Sequence, residues 1–132
     1  MTKPNDFILN SDYLALAQTS KTEFTAYFPA ASFTPGYAYN THQDFTVPSS
    51  PGAIDMCLVS LNGGEYKSAS NIDLSNLYGS QPLYFLAIQV YRVGATTMRV
   101  SLHGFTNYTY GYNMPLQTVK VKVASFKPPN VF

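Results

Sequence analysis

The sequence predicts an all-β protein: a single-domain antiparallel β-sandwich, or a jelly-roll-like barrel, of about 7–9 short strands. Three observations carry this. Apolar and polar residues alternate with a period of two in several segments, whereas helical periodicity is weak. Turn-forming residues recur about every 8–12 positions. One long run, Leu83 to Val93, is nearly continuous in apolar, β-branched and aromatic residues, the composition of a strand inside a sheet.

Taken in order, Ser11 to Gln18 is the best candidate helix, with Leu14 and Ala17, or Tyr13 and Leu16, in helical spacing. It is short and has no capping box. Thr22 to Pro29 alternates with Phe24, Ala26 and Phe28 on one face. Ile54 to Leu61 reads, like Leu83 to Val93, as a strand covered on both faces. Asn62-Gly63-Gly64 follows Leu61 and predicts a hairpin between Ile54–Leu61 and Glu65–Ser70. Gly94-Ala95 joins the Leu83 strand tightly to the next. There Met98, Val100 and Leu102 share one face, with Arg99, Ser101 and His103 opposite. In Thr118 to Ser125, Val119, Val121 and Val123 share a face, with Lys120 and Lys122 on the other. Residues 1–6 and 127–132 read as extended arms of the domain spanning residues 1–132. They are either loose termini or, at Val131-Phe132, an apolar tip that docks on a neighbouring subunit.

Composition narrows the function classes. Charged residues are 11% of the chain, against about 25% in an ordinary soluble domain. The formal net charge is +1, which argues against nucleic-acid binding through many neutralised phosphates and against a polybasic membrane-surface protein. The longest apolar run is broken by Gln89 and Arg92 and is too short for a membrane-spanning helix. The opening Met1-Thr2-Lys3-Pro4-Asn5-Asp6 is followed by a short apolar stretch interrupted by Asn10 and Asp12. The expectation is therefore no secretory leader and synthesis in a cytoplasm. The surface must be covered by Ser, Thr, Asn, Gln and Tyr, and so charge-poor a surface favours controlled self-association.

Catalytic and metal-binding patterns are weak. Cys57 lies in an apolar run and reads as a buried, inert thiol. His42, in Asn40-Thr41-His42-Gln43-Asp44, and His103 read as strand-surface histidines. The acidic residues Asp6, Asp12, Glu23, Asp44, Asp55, Glu65 and Asp73 are scattered singly. Asp55 is the one to watch, because a carboxylate beside a core strand must be paired or shifted. No metal-ligand spacing, phosphate loop or nucleophile motif is present, so the reading is of a non-enzyme without cofactor or metal. Asn107-Tyr108-Thr109 matches the glycosylation sequon, which has no bearing without secretion.

The most distinctive feature is aromatic. Read as an extended segment, Phe105 to Asn113 puts Tyr108, Tyr110 and Tyr112 on one face, with Asn107, Thr109 and Asn113 on the other. Tyr37 and Tyr39 form a smaller version. Three roles fit these residues: cross-strand packing, a subunit interface, and a platform where rings stack on sugar C–H groups while amides bind hydroxyls.

The segment Lys3-Pro4-Asn5-Asp6-Phe7-Ile8-Leu9-Asn10-Ser11-Asp12-Tyr13 resembles the opening of small proteins encoded by tailed bacteriophages and prophages. The resemblance covers roughly the first tenth of the chain and carries no functional residues across. It implies a virion- or tail-associated structural product without enzymatic activity, made in the bacterial host cytoplasm and incorporated in the virion. The expected function is self-assembly through sheet edges, tyrosine-rich faces and terminal arms. The partners would be further copies of the chain and other virion proteins, without nucleic acid or membrane. The alternative is a carbohydrate-binding module whose tyrosine and asparagine platform recognises host-surface glycans.

Overall fold

A period-two sequence buries one face of each strand, and two such faces must cover one another. A computed structural model of the chain, which describes residues 17–78 and 81–127, shows this arrangement. The described residues form no helix and eleven strands: β1 (Ala17–Phe28), β2 (Ala31–Phe33), β3 (Tyr39–Thr46), β4 (Ile54–Leu61), β5 (Lys67–Ser68), β6 (Asn71–Asp73), β7 (Asn76–Tyr78), β8 (Gln81–Gly94), β9 (Thr97–Phe105), β10 (Tyr112–Met114) and β11 (Gln117–Lys127). Six are of eight residues or more, and the other five of two or three.

The first sheet runs β1-β11-β4-β5 and the second β3-β9-β8-β6, with β7 also paired to β8. A short ribbon, β10-β2, lies apart from both. The ladders are antiparallel throughout. The fold is an antiparallel β-sandwich.

The core sits between the sheets. Ala26, Phe28, Val59, Val119, Val121 and Val123 from the first sheet meet Leu86, Ile88, Val90, Met98, Val100 and Leu102 from the second. Fully burying each of the larger side chains contributes about 1.5–3 kcal/mol. The alternations expected in Thr22–Pro29, Thr97–His103 and Thr118–Ser125 all place their apolar parity inward. The predicted hairpin is present as β4 and β5. Its turn uses Asn62 at φ 49° and Gly63 at φ 81°, a pair of positive values that suits a primed turn.

Three expectations are corrected. Ala17 and Gln18 belong to β1 rather than to a helix; the remainder of the candidate helix, Ser11 to Leu16, lies outside the described residues. Leu83–Val93 is central in its sheet but open on one face, with Phe85, Tyr91 and Val93 40–48% exposed. Ile54–Leu61 is likewise one-sided, with Ile54, Met56 and Leu58 43–54% exposed. Continuous apolar character predicted cover on both faces; no element among the described residues supplies it. Of the expected arms, Lys127 closes β11, and residues 1–6 and 128–132 lie outside the described residues.

The ends of the sandwich are closed by different chemistry. At one, the Phe33 ring of β2 is 3% exposed and seats on Gly104 of β9. It stacks on Tyr39 at 5.3 Å and meets Tyr112 edge-on at 5.6 Å. About 20 Å away along β9, Arg92 crosses from β8 to Asp55 of β4. Along the seam between β1 and β3, Phe24 stacks on Phe45 at 4.5 Å. There the Gln43 amide also bonds the backbone of Tyr27, accepting from its N–H at 3.2 Å and donating to its carbonyl.

Candidate functional site

The tyrosines singled out in the sequence are not gathered on one strand face. Thr109 and Tyr110 form a turn, and Gly111 at φ 72° redirects the chain into β10. Buried Thr106 organises this loop: its hydroxyl donates to the Leu83 carbonyl at 2.6 Å and accepts from the Tyr108 N–H at 3.0 Å. Tyr108 and Tyr110 lean together with ring centroids 5.7 Å apart, and Tyr110 is 87% exposed. Tyr112 instead stacks on Tyr84 at 3.9 Å. Burial, with the Tyr84 hydroxyl adding to it, pushes the Tyr112 phenol up to about 12. Asn107 is exposed, and Asn113 accepts a hydrogen bond from Ser32 at 2.9 Å. Tyr39 belongs to the Phe33 cluster, and Tyr37 stands out from the Pro35-Gly36 turn at 71% exposure. The one-face arrangement is thus corrected: a turn divides Tyr108 and Tyr110 from Tyr112.

Two other surfaces carry more organised chemistry. On the outer face of the first sheet, β4 presents Ile54, Met56 and Leu58, and β11 presents Phe126, Ala124 and Lys122 beside them in register. Between them is a depression of about 450 Å³ with Lys21 and Lys122 at its margin. Lys122 is held over the Tyr66 ring at 4.2 Å and lies 3.8 Å from Glu23. This strip is apolar along its length and charged only at its rim.

The outer face of the second sheet is polar and aromatic. Asp44 and Arg99 form a bidentate pair at 2.8 and 3.1 Å, and that guanidinium holds the Asp44 carboxyl below its usual range. The Tyr91 hydroxyl covers Ser101 at 3.0 Å. Beyond them is a trough of about 550 Å³. Register builds it: Asp73 of β6 pairs with Ala87 of β8, Ala87 with His103 of β9, and His103 with Asn40 of β3. A methyl group therefore lies between a carboxylate and an imidazole whose strand backbones are two spacings apart, roughly 10 Å. Phe85 and Phe105, also paired, bound one end, and Gln89 with Asn71 the other. The His103 ring is fixed by Asn40 at 2.8 Å. The Ser75 hydroxyl and backbone N–H hold Asp73 ionised, with its carboxyl below the usual range.

Of the other titratable groups, Asp55 has a structural role. Asp55 accepts from Arg92 and from the Ser125 hydroxyl, and its carboxyl is lowered chiefly by Arg92. This is the pairing its position demanded. Cys57 is half-buried, and desolvation raises its thiol. His42 is exposed on β3, two residues from Asp44. Among the described residues, no three His, Cys, Asp or Glu side chains gather where they could hold a metal ion.

The sequence reading missed the trough, although one signal was available. Within Leu83–Val93, Ala87 and Gln89 share a parity with Phe85 and Tyr91, and a glutamine on an otherwise apolar strand marks the wet face. A scan against protein-family models and searches of curated proteins and of solved structures each found no match.

Proposed function

We propose that the chain is a structural subunit that assembles with copies of itself through the outer face of its first sheet. It would serve as a virion- or tail-associated component, as the resemblance of its opening segment to small tailed-phage and prophage proteins implies. One observation carries the reading: Ile54, Met56 and Leu58, each 43–54% exposed, stand in a row beside Ala124 and Phe126. Contiguous apolar patches of this kind mark interaction surfaces in soluble proteins. A chain with only 11% charged residues has little else to oppose association. The sheet edges, tyrosine-rich faces and terminal arms expected from the sequence would add to this contact.

The experiment is size-exclusion chromatography with light scattering. The wild-type chain should run as a closed multiple of its 14.6 kDa mass. Met56→Glu with Leu58→Glu should return it to that mass, with thermal stability little changed because both side chains already face outward. A wild-type monomer across the accessible concentration range overturns the proposal. An oligomer that survives the double substitution does the same for this face.

A further inference from the structure

We infer that the trough on the outer face of the second sheet is a binding site for a neutral oligosaccharide, with Phe85 as its stacking platform and Asp73, Asn71, Gln89, His103 and Asn40 as its hydroxyl-binding groups. The site lies on the opposite sheet from the proposed assembly face and stands independently of it. It also differs in every residue from the tyrosine platform suggested by the sequence.

Shape is the first argument. The trough volume of about 550 Å³ falls in the range of small-ligand sites, which pair apolar surface with a few placed polar groups. Its floor dips at Ala87 because the neighbours in that cross-strand row, Asp73 and His103, are longer. Asp73 and His103 stand two strand spacings apart, backbone to backbone, so a pyranose chair laid over Ala87 would turn hydroxyls on opposite sides toward polar side chains. Phe85, 48% exposed at the end of the notch, offers an uncovered aromatic side chain to the C–H face of such a ring.

Hydrogen-bonding capacity is the second. A pyranose presents adjacent hydroxyls that each donate and accept. A carboxylate answers with two acceptors, and a primary amide with one acceptor and two donors. The trough sets these groups on both sides of an apolar floor. Asn71 and Gln89 face each other across β6 and β8, so two amides stand side by side. Asn40 holds one ring nitrogen of His103 and leaves the other for a ligand.

Charge selects the ligand class. Neither Lys nor Arg lines the trough, and Asp73 is its one carboxylate. Phosphate, sulfate and uronic acid groups would meet a negative charge with no cation to offset it. The nearby Arg99 is already committed to Asp44 through both carboxylate oxygens. Neutral, hydroxyl-rich ligands remain as the match.

The test uses the full chain on a printed array of neutral oligosaccharides built from glucose, galactose, mannose and N-acetylglucosamine, with sulfated and phosphorylated sugars as controls. Titration calorimetry then follows on each neutral trisaccharide that binds. Binding should be confined to neutral sugars. Phe85→Ala, Asp73→Asn and the notch-filling Ala87→Tyr should each weaken it by about tenfold or more, whereas Tyr110→Ala should leave it unchanged. Circular dichroism melting of every variant separates lost binding from lost folding, and three substitutions keep the test decisive if one variant fails to fold. Three results overturn the inference: an array without a neutral hit, binding to charged sugars only, or affinity within twofold of wild type in folded Ala87→Tyr.

Discussion

Asp55→Ala should remove one end-clamp of the sandwich. Asp55 takes bonds from Arg92 Nε at 2.8 Å and Nη2 at 3.0 Å, and from Ser125 Oγ at 2.7 Å. The two charged side chains are 22–23% exposed, so the pair lies between the surface and fully buried limits. Exposed pairs contribute under about 1 kcal/mol, and charge-assisted bonds in the interior about 1.5–3 kcal/mol each. Arg92 also donates to the Pro48 and Ala95 carbonyls at 3.3 and 2.7 Å. Those bonds keep the loss below the roughly 5 kcal/mol of a stranded, fully buried charge. The expected destabilisation is about 2–4 kcal/mol, or a fall in Tm near 10 °C for a chain of this size.

The assay is urea denaturation at a series of pH values. Because the folded-state pKa of Asp55 is lowered, its contribution is complete well above the unfolded value of about 3.9 and is lost as pH falls through the lower folded value. The gap between wild type and Asp55→Ala should be full at neutral pH and close in acid below about pH 4. A gap under about 1 kcal/mol at pH 7, or one that persists undiminished at pH 2, would refute the assignment.

Two further substitutions probe the aromatic end. In Gly104→Ala the new methyl carbon would stand 2.2 Å from Phe33 Cζ and 2.5 Å from Cε2. The enclosed ring must shift, at a cost of about 1–3 kcal/mol in urea denaturation; Phe33→Leu in the same chain should recover part of this. Tyr112→Ala should cost about 2–3 kcal/mol by removing the ring stacked on Tyr84 and against Phe33. Tyr110→Ala, at an 87% exposed residue, should stay within about 0.5 kcal/mol of wild type. Equal effects at the two tyrosines would contradict the turn that separates them.

Most of the sandwich was legible because its strands obey one rule. Val119, Val121 and Val123, or Met98, Val100 and Leu102, announce a buried face by parity alone, and Asn62-Gly63 announces the turn that closes a hairpin. Solvent exposure on the other face was not legible. Phe85, Tyr91, Met56 and Leu58 are as apolar as core residues, and hydrophobicity does not distinguish a covered face from an open one. The tyrosine strip failed for a local reason: Gly111 can take a positive φ, and one such residue breaks the alternation that would have aligned Tyr110 with Tyr112. The trough depends on three register pairings across four strands, which no single stretch of sequence contains.

Gln43 carries, at the end of its side chain, the same amide group that links residues along the backbone. By presenting it to the N–H and carbonyl of Tyr27, β3 fills the slot on β1 that an incoming strand would use. Edge strands left open are templates for indefinite growth. Here a side chain impersonates the next strand and stops the ladder at that position. A strand approaching this edge would find the Tyr27 position already taken, so fibre-like growth along β1 would be interrupted there.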